Sequence, residues 1–446
     1  MKGFIKNWQA VQWPEALLGL AFLLVLIPLN YLLEQDQFPR ILACFSILFG
    51  IYIFVLKNGL LHFWIGIAFI ARLSLLFAFP NLSDDIYRFI WDGYLNNLGF
   101  DPFAEIPSYY FNQQIEPKWL SPELYQKLNS PNYHSVYPPF AQGVFSTASY
   151  LAGQNWLGIS MLIKALIIIA ETGTMYLIYR LLKSYHINPR NLLIYALNPL
   201  VIIELSGNVH FEAFLIVLFF LALQALLRQK PLQAALFMGL SISSKLVTLI
   251  PQIFLVRRLS AKKLVLYSTT LLLVLGICFS PFLSSDFLFN IADSLDLYFS
   301  NFEFNASIYY LVDWIIKLKL GYGMIHYVGP ALSLITLLAC ITLAIRDRST
   351  DILGLIQMSF WAFCIYLVCS TTVHPWYLAL PIALSVFTTY RFVLIWSALA
   401  CLSYIKYSDY EHLYFVVIII EYFIVFGYLI WEIIQHRSKI KNRPSF

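Results

Sequence analysis

Uninterrupted apolar runs, each close to the ~20 residues needed to cross a ~30 Å hydrocarbon core, recur along almost the whole chain. Length and hydropathy place spans at residues 15–33, 41–57, 59–80, 157–181, 191–206, 211–228, 264–281, 324–345, 352–372, 375–390 and 411–434. Lipid offers backbone N–H and C=O groups no partner, so these runs are read as helices. Two stretches depart from the pattern. Residues 231–256 carry Lys245 in mid-segment and Pro251 shortly after it, which predicts two short helices meeting near one membrane face. Residues 391–406 read as a further short span, and "YPPFAQGVFSTASYL" as an interfacial or re-entrant helix.

Composition narrows the class. Of 446 residues, 60% are hydrophobic and 12% charged, against about a quarter charged in a soluble domain. No separate soluble domain is left over, so residues 1–446 are expected to form one integral-membrane domain. A net charge of +5 does not point to nucleic acid, because the basic residues collect in short loops between spans. These clusters are Lys2/Lys6, Arg180/Lys183/Arg190, Arg228/Lys230, Arg257/Arg258/Lys262/Lys263, Arg346/Arg348 and Arg437/Lys439/Lys441/Arg443. The positive-inside rule assigns them to the cytoplasm together with both termini, and residues 81–156 to the outside. The basic N-terminus leads into a long apolar stretch with no small-residue cleavage site after it, and is read as a retained first helix. Six cysteines lie inside apolar stretches without a C-x-x-C pair, so neither a disulfide framework nor a zinc site is indicated.

With that topology, five polar stretches converge on the outer side: "SDDIYR" at 83–88, "SGNVHFE" at 206–212, "SSK" at 243–245, "FNASIYY" at 304–310 and "TVHPWY" at 372–377. Ionisable groups at membrane depth are costly and usually mark a site. In a helix over 84–92, Asp85, Arg88 and Asp92 fall on one stripe, with Asp84 an i+4 neighbour of Arg88. Such a group can act as a general base, bind a metal or form a structural ion pair. Ser83 and the two aspartates also suit a simple helix cap. His374 can donate to an anionic oxygen or move a proton; Asn208, His210 and Glu212 read as polar lining, since i, i+2 is a poor metal spacing on a helix. Lys245 stands where a phosphate-binding cation can emerge or simply snorkel, and Glu171 in "IIIAETGTMYLI" is expected to pair with a neighbouring helix. The loop 81–140 holds Asp101, Glu105, Glu116, Glu123, Lys118 and Lys127 among many aromatic residues, and is expected to build a cap of short helices.

The order "SDDIYRFIWDG", "YPPF", "GNVHFEAFLIVLFFLALQALLRQKPLQAALFMGLSISSKLVTLIPQIFLV", "FNASIYY", "HPWYLALP" resembles the GT-C superfold of integral-membrane glycosyltransferases, in particular the bacterial polyprenol-phosphate-mannose-dependent mannosyltransferases. The resemblance spans roughly residues 60–390. It implies a bundle of about 12 to 14 transmembrane helices with an extracytoplasmic loop region, residues 1–58 being additional helices and 81–140 the catalytic loop. It also implies a catalytic aspartate in the first outer loop, where Asp84 and Asp85 stand.

The expected reaction is transfer of a hexose, mannose first, from a polyprenyl-monophosphate donor to a hydroxyl of a glycan or glycolipid acceptor on the outer face of a bacterial inner membrane, with inversion. Asp85 or Asp84 is the base; Arg88, Lys245, His374 and Tyr377 hold the donor phosphate; Asp92, Asp101, Asn208, His210, Glu212 and Asn305 hold sugar or acceptor. No obligatory metal or other cofactor is expected. The alternatives are a secondary transporter or flippase of lipid-linked sugars, against which stands the lack of a convincing internal repeat, and an O-antigen ligase or polymerase using a pyrophosphate-linked lipid.

Overall fold

The computed structural model describes residues 13–112, 119–284, 286–296 and 301–441. Among them there is no β-strand, only an isolated bridge between Phe304 and Thr372. The protein is an all-helical, polytopic integral membrane protein. Seven helices are long and apolar enough to cross a bilayer: Trp13–Leu32, Phe38–Asn58, Trp156–Ser184, Ala261–Phe282, Ile325–Arg346, Ile352–Cys369 and Glu411–Ser438. Shorter apolar helices cover Leu61–Ser74, Leu246–Arg257, Pro375–Ser385 and Phe392–Tyr407. The charged residues Lys2, Lys6, Glu116, Lys118 and Arg443 of the sequence reading lie outside the described residues.

Burial separates interior from periphery. Trp156–Ser184 and Ile352–Cys369 are buried over more than half their span, whereas Ala261–Phe282 is mostly exposed and turns Leu272, Leu273 and Ile277 outward, as a lipid-facing helix should. The interior helices start cleanly. Asn155 accepts from the Gly158 N–H and Asp351 from the Gly354 N–H, both at 3.0 Å, each satisfying one of the free donors of a first helical turn.

Two spans expected to be straight are broken, each for a local reason. The expected span 59–80 is helical only over Leu61–Ser74; the buried Lys164 ammonium donates to Leu75 O (3.1 Å) and Ala78 O (2.6 Å), which satisfies the carbonyls left open by the helix end. Residues 191–206 form a chain of short pieces. Pro189 and Pro199 each start a new turn, and Ile202–Gly207 closes as a wide π-turn. This segment meets Glu212–Leu227 at 110°, leaving Asn208, Val209 and His210 in the corner. Residues 231–256 divide as the polar residue in mid-segment predicts, into Pro231–Ser244 and the 3-10 helix Leu246–Arg257. The joint is Lys245, extended at φ −160°, and Pro251 lies within the second helix.

The long loop builds short helices over one end of the bundle: Asp85–Asn97, Pro107–Asn112, Pro122–Gln126 and Pro139–Ala152. Asp85–Asn97 lies tight on Pro139–Ala152, with Phe89 stacked on Phe145 at 4.5 Å. Gly93 permits this approach, since a Cβ there would meet Ser149 Oγ at 2.3 Å and Phe145 O at 2.6 Å.

Candidate active site

Beneath that loop lies a cavity of about 940 Å³. Its polar end is lined by Asp84, Asp85, His210, Glu212, Lys245 and His374, with Arg88 and Tyr377 beside them. Its other end runs between Leu246–Arg257, Ile325–Arg346 and Ile352–Cys369, where Val247, Ile250, Ile253, Leu337, Phe363 and Leu367 make an apolar arm. Eight of the twelve expected site residues therefore share one space, although they come from four separate stretches of chain.

Asp85 opens its helix, but neither aspartate is used as a cap. The side chain of Asp84 makes no capping hydrogen bond, and Ser83 Oγ accepts from the Asp85 N–H at a long 3.4 Å. Asp85 Oδ1 accepts from Asn129 Nδ2 at 3.0 Å, and Oδ2 faces His210 Nδ1 at 3.9 Å. The low-dielectric surroundings and the adjacent Asp85 charge raise the Asp84 carboxyl above its ordinary range, against the pull of Lys127.

Arg88 and Asp92 form a buried pair, Nε to Oδ1 at 2.8 Å. The Arg88 Nη1 donates to the carbonyls of Ser130 (3.2 Å) and Tyr133 (3.0 Å), which pins the loop over the cavity. Its Nη2 is buried without a partner among the described residues. Asp92 Oδ2 accepts from Ser135 Oγ (2.5 Å) and Gln142 Nε2 (3.0 Å). Asp92 is fully buried and outside the cavity wall, and its carboxylate holds the Arg88 guanidinium.

Across the cavity, Lys245 makes an ion pair with Glu212 and lies 4.2 Å from the Tyr377 ring centre. His374 belongs to a ladder of rings. Phe304 stacks on it at 4.7 Å, Trp376 lies on its other face at 4.3 Å, and His210 stacks on Trp376 at 3.6 Å. Burial, Lys245 and His210 hold the His374 imidazole well below its usual pKa, so it is neutral at physiological pH and offers the cavity a dipole instead of a charge.

Three further expected site residues lie elsewhere. Asp101 closes its own turn by accepting from the Phe103 N–H at 2.9 Å and is not in the cavity wall. Asn208 donates to the buried Glu204 Oε2 at 3.1 Å. Asn305 is buried at φ +47°, with its N–H donating to Tyr414 Oη (2.6 Å), its Nδ2 to Glu421 Oε1 (3.3 Å), and its carbonyl accepting from Tyr422 Oη (2.6 Å). It is a clamp: it fixes Phe304, whose backbone pairs with Thr371 O (3.0 Å) and the Val373 N–H (2.7 Å), and so sets the segment that carries His374.

Sequence reasoning missed Glu204, Trp376 and Asn129. Glu204 was findable, since a carboxylate inside "VIIELSG" is as conspicuous as Glu171. Asn129 and Trp376 carry no such signal, because polar loop residues and aromatic rings are ordinary in their surroundings.

Residues 61–261 match the family model "Alpha-(1->6)-mannopyranosyltransferase, N-terminal domain". Over that segment, somewhat less than half of the chain, the protein is similar to a mannosyltransferase of the GT-C type. That match supports a mannosyl-transferring glycosyltransferase. The matched segment holds Asp84, Asp85, Arg88, Glu204, His210, Glu212 and Lys245; the wall that carries His374 and Tyr377 lies beyond it. No curated protein matches the chain.

Proposed function

We propose that the enzyme transfers mannose from a polyprenyl-monophosphate donor to a hydroxyl of a glycan or glycolipid acceptor by a single inverting displacement. The observation that carries this reading is one cavity whose polar end joins two carboxylates and a lysine and whose other end is an apolar arm. An isoprenoid tail needs such an arm between helices, and its phosphate needs a cation where the arm becomes polar. Lys245 stands at that junction, and binding of a phosphate there exchanges the Glu212 carboxylate for a phosphate oxygen.

Asp85 is the proposed base. It is oriented by Asn129 and faces His210, whereas Asp84 has no comparable partner. As the acceptor oxygen attacks the anomeric carbon, its proton passes to Asp85 and the bond to phosphate breaks. The departing phosphate monoester is stable, so no acid is required on that side. Lys245 and the free Arg88 Nη2 meet the developing charge. The donor is handled without an obligatory divalent metal.

The same reading treats residues 1–446 as one domain in a bacterial inner membrane, with 1–58 as added helices, 81–140 as the outer catalytic loop and both termini cytoplasmic. The 3-10 helix supports this polarity, since Lys245 and the basic pair Arg257/Arg258 stand at its opposite ends. The test uses purified protein in nanodiscs, radiolabelled polyprenyl-phosphate-mannose and a panel of acceptors. Transfer that survives EDTA and is abolished by Asp85→Asn but not Asp84→Asn is expected. A strict need for manganese or magnesium, or a donor requirement for pyrophosphate-linked sugar, overturns the donor assignment.

A further inference from the structure

Behind Asp85 stands a second, buried carboxylate. Glu204 is fully buried and sits in the π-turn Ile202–Gly207, a conformation rare outside functional sites. It accepts from Tyr404 Oη at 2.6 Å and from Asn208 Nδ2 at 3.1 Å. Its Oε2 lies 3.4 Å from His210 Nε2, a buried atom with no hydrogen bond of its own among the described residues. The other ring nitrogen of His210 faces Asp85. The imidazole is thus held between two carboxylates, one at the cavity and one sealed from it, with its face on Trp376.

The backbone is strained to achieve this. Val209, next to His210, has φ +61°, a left-handed conformation that a β-branched residue rarely adopts and that costs about 1–3 kcal/mol. Just before the corner, Gly207 leaves room for the Asn30 amide, whose Oδ1 a Cβ there would meet at 2.2 Å. Strain of this kind persists only where the surroundings impose it.

We propose that His210 and Glu204 form a proton relay behind Asp85, in which His210 receives the acceptor proton from Asp85 and Glu204 holds the resulting imidazolium. This rests on Asp85 being the base. With the ring proton on Nε2, the Nδ1 lone pair faces the Asp85 carboxylate, and Nε2 lies 3.4 Å from Glu204 Oε2 in a contact not aligned as a hydrogen bond in the resting state. Two acceptors repel, which fits a 3.9 Å separation at Asp85 that is too long for a hydrogen bond. Once the acceptor O–H bond breaks and Asp85 takes the proton, Asp85 becomes a donor and the contact can close. The proton moves to Nδ1, Asp85 is an anion again, and the electron pair of the broken glycosyl–oxygen bond leaves on the phosphate. His210 returns its proton to solvent as product departs. His210 and Glu204 are positioning residues here.

The groups facing His210 are Asp85 from the loop helix, Glu204 from its own turn, and His374 and Trp376 from the opposite wall. Tyr404 is bonded to Glu204, and the charges of Asp85 and Glu204 reach Tyr407 as well. Glu212 and Lys245 neutralise each other nearby.

The experiment is a pH titration of the intact protein in nanodiscs with 13C-labelled histidine, the His210 signal being assigned by its loss in His210→Gln. Glu204→Gln and Asp85→Asn are each expected to move the His210 transition to lower pH, as removal of a facing carboxylate should. Tyr404→Phe, which keeps every charge, is expected to leave it in place. A His210 titration indifferent to both carboxylates overturns the relay. In parallel, the pH profile of kcat/KM with polyprenyl-phosphate-mannose is expected to lose its acidic limb or shift it in His210→Gln, with donor KM unchanged. A uniform fall at every pH also overturns the relay and leaves His210 a packing residue. An active Asp85→Asn enzyme removes the base reading itself, whatever His210 does, so the two failures are told apart.

Discussion

Two of the clusters of buried charge within this bundle differ in what their polar groups face. Around Arg72, the guanidinium Nε meets Glu171 Oε2 at 2.7 Å, Nη1 donates to the carbonyls of Ala68 (3.0 Å) and Ala196 (2.7 Å), and Tyr195 Oη donates to Glu171 Oε1 at 2.5 Å. All these side chains are sealed from the cavity and close on one another. Around Asp85 the contacts are longer, the groups face open space, and Arg88 Nη2 and His210 Nε2 have no hydrogen bond among the described residues. Both clusters are costly to bury. Arg72 Nη2 is likewise unpaired among the described residues, but it is sealed inside the bundle, whereas Arg88 and His210 line the cavity. The first cluster joins helices, and the second can turn its unused polar atoms to something that is not protein.

The largest effects should invert between the two. Asp85→Asn is expected to lower transfer by about 10²–10⁴, the usual contribution of a general base, while leaving the melting temperature in nanodiscs unchanged. Glu171→Ala is expected to cost about 3–5 kcal/mol of stability by stranding a buried guanidinium, seen as a lower melting temperature and poor yield. A Glu171 variant that folds normally but cannot transfer mannose would break the contrast and extend the site into the Arg72 cluster.

A smaller effect tests the cavity's cation. Lys245 is paired with Glu212, yet about a third of its side chain is exposed, so its charge can be redirected to a ligand. A charge-assisted hydrogen bond is worth about 1.5–3 kcal/mol, which converts to roughly ten- to a hundredfold in affinity. Lys245→Met should therefore weaken donor binding by that factor, measured by tritiated polyprenyl-phosphate-mannose retention, with a fall in kcat as well from the lost stabilisation of the departing phosphate. A fall in kcat alone would place Lys245 away from the ground-state phosphate.

The sequence made the membrane class plain, because runs such as Trp13–Leu32 and Ile352–Cys369 carry no competing signal. It also brought out the two short helices around Lys245, since a lysine in an apolar run disturbs its surroundings visibly. It did not reveal the chain of turns from Pro189 to Gly207, where two prolines and a π-turn divide a run that is apolar throughout. Among site residues, Asp84, Asp85, His210, Glu212, Lys245 and His374 were legible as charge or imidazole at helix ends. Asp92, Asn208 and Asn305 have the same chemistry but spend it on protein neighbours, Asn208 on Glu204 one turn before it and the other two on distant parts of the chain. Only the folded structure shows whether a polar group is already taken.

The smallest effect follows from that same distinction at the cavity rim. The protein holds the Asp84 carboxyl above its ordinary range, through its surroundings and the adjacent Asp85, with Lys127 pulling the other way. A group whose pKa is raised by folding stabilises the fold below its unfolded pKa, and that contribution is lost as pH rises through the folded value. At neutral pH, Asp84 is therefore a charge the fold would rather not carry. Asp84→Asn is expected to melt slightly higher than wild type at pH 7.5 and to lose that advantage as the pH is taken down into the carboxylate range. Melting curves of both proteins across pH 4 to 8 read this directly. A variant less stable at neutral pH would mean that the Asp84 charge is satisfied by Lys127, and the rim would then belong with the self-contained cluster around Arg72 and not with the groups held in reserve around Asp85.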